Sequence, residues 1–267
     1  MKKYNFNKTI YFFALIMGLA FAHSCSKTDT PSNNTTDTGS LTIEFENIAN
    51  GESLTFEKEY TNAAGEKMKF SRFDYYISNI VLWKTDGTSY TVPRDSSYFL
   101  IKDNGTINSK ITLNNIPVGD YNKFSFVIGV DSLKNTEPAS ARVGDLNTGN
   151  GMYWSWNSGY IFLKAEGSYN SDTTKKFKYH IGLFGVGSGT SSGVNNLKTI
   201  TLASSSEKAM VSKTIKPNLH LLVDVMEMFK TPNAISVATK PVIMVDPASK
   251  NIADNYVDMF KIDHIHN

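Results

Sequence analysis

From residue 41 onward, apolar side chains recur at every second position in one segment after another, and this alternation limits what the chain can become. Leu41, Ile43 and Phe45 alternate with Thr42, Glu44 and Glu46; Phe124, Phe126, Ile128 and Val130 alternate with small or polar residues; Phe177, Tyr179 and Ile181 alternate with Lys176, Lys178 and His180. A period of two puts one side chain set on each face of a strand, so each segment reads as a half-buried strand. Turn signals fall between them at Asp86-Gly87, Asp103-Asn104-Gly105 and Pro117-Val118-Gly119-Asp120, as antiparallel hairpins require. Helical spacing is confined to Val223, Met226 and Phe229 and to Ile252, Tyr256, Met259 and Phe260. The predicted fold class is therefore all-β: an antiparallel β-sandwich with a few short helices.

At 267 residues, with 40% hydrophobic and 12% aromatic side chains, the chain can fill the core such a sandwich needs. A single cysteine excludes an intramolecular disulfide, a CxxC redox pair and a Cys-rich zinc site. The formal charge of +2 includes Lys2, Lys3 and Lys8; without them 24 basic residues face 25 acidic ones, net −1. That balance gives a polyanion nothing to hold, so no nucleic-acid partner is expected.

Those three lysines precede an apolar run, Ile10 to Ala22, of about 13 residues against the roughly 20 that span a bilayer. Residues 1–24 read as an export signal. The run ends at Ala22-His23-Ser24-Cys25, and small residues before the sole cysteine resemble a bacterial lipoprotein signal with Cys25 as the lipidated first residue. A plain signal peptide with an incidental cysteine, or a buried thiol, are the alternatives. Residues 26–40 carry no hydrophobic side chain and read with Cys25 as a disordered tether, with a reach of about 20 Å as a flexible coil. The expected organisation is signal 1–24, lipidated Cys25 and tether 25–40, and one domain over 41–267. The location expected is a membrane surface outside the cytoplasm: the outer membrane, periplasmic or cell-surface side.

Two motif matches carry no chemistry. Gly189-Thr190-Ser191-Ser192-Gly193 fits GxSxG but lacks the apolar strand and helix of a nucleophile elbow, and Gly185-x-Gly187-x-Gly189 lacks the spacing of a phosphate cradle. The unusual segment is Gly151-Met152-Tyr153-Trp154-Ser155-Trp156-Asn157-Ser158-Gly159-Tyr160-Ile161-Phe162. On an unbroken strand Trp154, Trp156, Tyr160 and Phe162 would share one face, which serves equally as an aromatic core layer. Past the signal the histidines are His180, His220, His264 and His266. His180 and His220 fall on the faces opposite their apolar neighbours, and His264 and His266 share a face two residues apart. With Met152 they form an N/S donor set that suits copper better than magnesium or calcium.

The segments Tyr60-Thr-Asn-Ala-Ala-Gly-Glu66, Tyr75-Tyr-Ile-Ser-Asn-Ile80, Ile128 to Asn135, Gly151 to Tyr160 with Lys164 and Glu166-Gly167, Tyr179-His-Ile-Gly182, and Asp254 to Phe260 running into Asp263-His-Ile-His266 resemble, in order, the copper-binding MbnP-like family. The resemblance implies a protein from methanobactin or other copper-related settings, paired with a dihaem enzyme of the cytochrome c peroxidase/MauG type. It implies that the first Trp of WxW, here Trp154, is oxidised to kynurenine by that partner and that copper binding depends on it. Indole offers only an N–H donor, whereas kynurenine has an aryl amine and a ketone. Carried over in this way, Met152, Trp154, His180, His220, His264 and His266 are the candidate copper ligands, with Trp156 and Tyr160 behind them. A histidine that some members carry in the first strand is replaced here by Asn47. The expectation is a copper-binding protein that is not an enzyme, in which His180, His220 and one of His264 and His266 converge near Trp154. A surface adhesin or glycan-binding lipoprotein, stacking sugars on Trp83, Trp154 and Trp156, is the rival reading. A metal-dependent hydrolase ranks behind both, because neither HExxH nor paired carboxylates accompany the histidines.

Overall fold

A computed structural model describes residues 37–103, 109–157, 159–188 and 193–267. The signal, Cys25, the tether up to residue 36, the Asn104-Gly105 turn, Ser158 and residues 189–192 of the GxSxG match lie outside the described residues.

In chain order the strands are β1 (Thr38–Ala49), β2 (Glu52–Ser53), β3 (Tyr60–Thr61), β4 (Lys67–Lys84), β5 (Ser89–Thr91), β6 (Tyr98–Lys102), β7 (Ser109–Pro117) and β8 (Gly119–Ile128). After helix α1 (Ser132–Asn135) come β9 (Tyr153–Trp154), β10 (Gly159–Tyr169), β11 (Asp172–Gly182), β12 (Lys198–Ala203), β13 (Ala209–Val211), β14 (Asn218–Asp224) and β15 (Val242–Ile243). Helix α2 (Ser249–Asn255) leads to β16 (Phe260–His266). The small sheet runs β16-β14-β1-β2, with β7 also on β1; the large sheet is built on β12-β8-β4-β10-β11-β15.

The two sheets face each other across one apolar core, as the alternation requires. Phe45 of the small sheet meets Tyr75 and Phe126 of the large one at ring distances of 6.2 and 6.3 Å, and Phe260 meets the same two rings at 5.8 and 5.2 Å. Leu41, Ile43, Leu219, Leu221 and Val223 join them from the small sheet, and Ile77, Leu163, Ala165, Tyr179 and Ile181 from the large one. The predicted all-β sandwich is the fold. Two pairings, β1 with β14 and β11 with β15, are parallel rather than antiparallel.

Boundaries differ from expectation in two places. β1 starts at Thr38, because Thr38, Gly39 and Ser40 already pair with Pro117, Ile116 and Asn114 of β7; backbone hydrogen bonds order residues whose side chains bury little. Val223 belongs to β14, while Met226 and Phe229 lie in the 3-10 turn Val225–Phe229, started by the Asp224 carboxylate accepting from Met226 N at 3.0 Å. Ile252 is helical in α2, Tyr256 and Met259 are in a 3-10 turn, and Phe260 opens β16.

The large sheet is covered on its outer face as well. Tyr76, Val130, Leu146, Met152, Trp154, Tyr160, Phe162 and Leu183 form a second buried cluster there. The 3-10 turns Gly144–Leu146 and Thr148–Asn150 are tied to it by the Tyr76 hydroxyl donating to Asp145 O at 2.8 Å and the Tyr160 hydroxyl to Leu146 O at 2.7 Å. The outer face of the small sheet carries the charged half of β1 instead.

Candidate metal centres

The WxW segment does not form one strand face. Trp154 pairs with Gly159 in a hairpin whose turn is closed by Asn157 N donating to Trp154 O at 3.3 Å, so Trp156 sits in the turn and Tyr160 on the returning strand. Trp154 is 4% exposed and Trp156 64%, with ring centroids 5.9 Å apart and planes tilted by 48°. The turn sequence Asn157-Ser158-Gly159 carried the signal for this break. A flat sugar-binding platform does not result: Trp154 is covered, and Trp83 lies beneath the Lys123 ammonium, 4.5 Å from its centroid.

Trp154 lies directly on Gly182. A Cβ at that position would stand 2.6 Å from the indole Cζ3 and 2.6 Å from Tyr160 O, so only glycine lets the ring approach β11. The Nε1–H of Trp154 is buried without a hydrogen-bond partner among the described residues, a state that costs about 1–3 kcal/mol. Met152 is fully buried in the same cluster.

His180 precedes Gly182 by two residues, on the same face of β11 and about 7 Å along the strand. Its row is charged: His180 opposes Lys164, and Lys164 opposes Asp74, across β11, β10 and β4. His180 Nε2 is 2.6 Å from Glu166 Oε1, and Lys164 Nζ donates to Gly151 O at 2.7 Å. Burial, with the Lys164 charge adding to it, pushes the His180 imidazolium pKa down despite Glu166. Burial raises the Glu166 carboxyl, but the His180 hydrogen bond and the Lys164 and Arg72 charges outweigh it and hold the group below its ordinary value. Both shifts describe a neutral imidazole beside an ionised carboxylate. Nε2–H then donates to Glu166, and the Nδ1 lone pair is left as a donor for a metal.

The other histidines gather on the outer face of the small sheet. His220 of β14 is directly opposite His264 of β16, with Nδ1 to Nδ1 at 3.4 Å. Asp263 Oδ2 is 3.4 Å from His220 Nδ1 and 2.7 Å from His264 Nδ1. His264 Nε2 is 2.8 Å from His266 Nε2. Among the described residues, His220, Asp263 and His264 are the group of three metal-capable side chains whose donor atoms lie within 4.8 Å of one another.

The expected convergence of His180 with these residues near Trp154 is not what the topology produces. Tyr179 and Ile181 point into the shared core from the large sheet, and Leu219 and Leu221 point into it from the small one. Their neighbours His180 and His220 therefore leave from opposite outer faces, separated by at least the ~10 Å spacing of packed sheets. Asn47 is on neither face: it is buried, donating to Asp103 Oδ2 at 2.6 Å and accepting from the Tyr75 hydroxyl at 3.2 Å. Tyr160 is held by Leu146 O and packs edge-on against Tyr76 and Tyr153 at 5.6 and 5.2 Å.

Sequence reasoning left out Asp263. β16 has a bulge there, since Leu221 pairs with Ile262 but His220 pairs with His264. The extra residue lets two consecutive side chains, Asp263 and His264, turn toward His220. The signal was present as a phase slip: the apolar residues Phe260 and Ile262 are two apart, but Ile262 and Ile265 are three apart.

No curated protein matches the chain at a significant level. Among solved structures, MbnP from Methylosinus trichosporium is similar with 13% identity and a TM-score of 0.48, covering 79% of this chain and 82% of that one. The MbnP family profile matches residues 38–245, which includes Met152, Trp154, His180 and His220 and stops before Asp263, His264 and His266. With that match running over most of the sandwich, the chain belongs to the MbnP family.

Proposed function

We propose that this protein is a lipid-anchored, extracytoplasmic copper-binding protein, itself not an enzyme, whose copper site forms at Trp154 after a dihaem partner of the cytochrome c peroxidase/MauG type oxidises that residue to kynurenine. The observation that carries the reading is the Trp154 indole: buried against Gly182 with an N–H that has no partner among the described residues, in one cluster with Met152 and on the side of β11 that presents His180. The donor set fits copper. A thioether and a neutral imidazole are ligands copper accepts in either common oxidation state, and Glu166 fixes the His180 tautomer that leaves Nδ1 free to bind.

Each residue has a separable task. Gly182 admits the ring, Glu166 orients His180, and the turns Gly144–Leu146 and Thr148–Asn150 with Tyr76 and Tyr160 exclude water. Indole has no lone pair to offer in its place; oxidative cleavage of its C2–C3 bond, with the dihaem partner and a peroxide or dioxygen co-substrate as oxidant and C2 leaving as formate, would put an aryl amine where the orphaned N–H was and a ketone at the former C3. Bound copper would supply a thiophilic, redox-active centre held for transfer or storage. Cys25 would tie the domain to the membrane through residues 25–36.

The test is intact-mass analysis of the chain expressed with and without its dihaem partner. Oxidation adds about +4 Da, mapped to the peptide holding Trp154-Ser155-Trp156, and one equivalent of copper follows only then. Trp154→Phe keeps the fold at a cost of about 1–3 kcal/mol and loses the copper. Equal copper binding by the unmodified chain or by Trp154→Phe refutes the reading. Cys25→Ala should move the protein to the soluble fraction; retention at the membrane refutes the anchor.

A further inference from the structure

We propose that the outer face of the small sheet holds a second metal site, distinct from Trp154, in which His220 Nδ1, His264 Nδ1 and Asp263 bind one divalent first-row cation of the zinc class. Two donor atoms on a tetrahedral ion with bonds of 2.0–2.1 Å stand about 3.3–3.4 Å apart. The separations His220 Nδ1 to His264 Nδ1 and His220 Nδ1 to Asp263 Oδ2 are both 3.4 Å. The remaining side, 2.7 Å between Asp263 Oδ2 and His264 Nδ1, needs to open by about 0.6 Å, a small rotation for an exposed carboxylate.

The surroundings complete each ligand. A metal-bound imidazole donates its other N–H to a nearby acceptor, and that partner fixes the tautomer. For His264 the partner is His266, whose Nε2 is 2.8 Å from His264 Nε2; His266 is thus a positioning residue and not a fourth ligand. For His220 it is Glu46. His220 is nine-tenths buried and its Nε2 has no hydrogen bond among the described residues, with Glu46 Oε2 at 3.1 Å but outside hydrogen-bond angle. At that distance Glu46 Oε2 is the acceptor available to the Nε2–H of a metal-bound His220. Ser53 already holds the other oxygen of Glu46 at 2.9 Å.

Rigidity and access both suit binding. His220 sits in a strand flanked by β1 and β16, so its position is set by ladders on both sides. Asp263 and His264 have side chains 42% and 36% exposed, which leaves the solvent side open for an ion and a water at its fourth position. Two imidazoles and one carboxylate form an N/O set without sulfur, favouring zinc-class divalent ions over the monovalent copper that a thioether selects.

The experiment is calorimetric titration of the full chain, expressed without a dihaem partner, with zinc chloride at neutral pH. One zinc per chain is expected. His264→Ala should weaken binding by about 100-fold or more, and Asp263→Asn and His266→Ala by about 10-fold each. Trp154→Phe and His180→Gln should leave zinc affinity unchanged, which separates this site from the copper reading. Both His264 and Asp263 are surface residues, and unchanged circular dichroism would show that their variants fold. Absence of stoichiometric zinc binding overturns the proposal, as does unaltered affinity in either His264→Ala or Asp263→Asn.

Discussion

The two outer faces of the sandwich place histidines in opposite physical settings. On the large sheet His180 is buried beside Lys164 and Glu166, its imidazolium pKa pushed down by burial, two residues before the Gly182 on which Trp154 of the aromatic cluster packs. On the small sheet His220, His264 and His266 form a chain of imidazoles that runs from the buried His220 out to the exposed His266, placed by strand register and a bulge. The first face is bound up with folding, because its donors are also core. The second is an addition to a strand pair that would fold without it. Disturbing the first should therefore change stability, and disturbing the second should change ion binding and little else.

The sharpest way to break this contrast is Trp154→Ala. Removing a buried indole should cost about 3–5 kcal/mol in urea unfolding; a loss below about 1 kcal/mol would mean that the ring is not part of the packing. Gly182→Val comes next. A branched Cβ cannot coexist with the indole at 2.6 Å, so overpacking should cost about 1–3 kcal/mol and shift tryptophan emission to the red as Trp154 is displaced. Unchanged emission would contradict the contact.

A smaller effect is expected from pH. His180 has a folded-state pKa below its unfolded value, so between those two values the unfolded chain binds more protons and stability falls as pH falls. The loss begins below about pH 6.5, the ordinary histidine value. Glu166, also lowered, adds a further loss in the same direction at more acidic pH, below the ordinary carboxylate range. His180→Gln should flatten the stability profile between pH 7 and 5.5, as read from denaturation midpoints; an unaltered slope would place the acid sensitivity elsewhere. The smallest change is predicted for Asp263→Asn, within about 0.5 kcal/mol in zinc-free buffer. A larger loss would show that the bulge depends on the carboxylate.

Much of the fold was legible in the alternation, because a sheet with one buried face writes its register into the chain. The reading weakened where both faces are covered. Phe73, Tyr75, Tyr76 and Ile77 of β4 are all fully buried, since Tyr75 enters the central core and Tyr76 the second cluster, so no two-residue period survives there. For the sites, the spacing of His264 and His266 correctly put them on one face. It could not tell that His180 and His220 occupy different sheets, because strand order depends on long-range pairing such as β1 with β14, 174 residues apart at Glu44 and Asn218. The shared face of Trp154 and Trp156 holds only on an unbroken strand, and the sequence Asn157-Ser158-Gly159 already argues against one. An unbroken alternation through β16, in phase with Ile265, turns Asp263 inward, and only the bulge brings it to the outer face beside His264.

The bulge at Asp263 also bears on how such a site arises over generations. On either side of it the inward residues Ile262 and Ile265 pair with Leu221 and Leu219, so the strand is in phase with its neighbour except for one added residue. Deleting that one codon would leave a regular strand with both histidines still outward and only the carboxylate gone. Inserting it would supply an acidic ligand without exposing a single core side chain. Within a lineage, a metal preference at this edge can thus be gained or lost in one in-frame step while selection on the fold sees almost nothing.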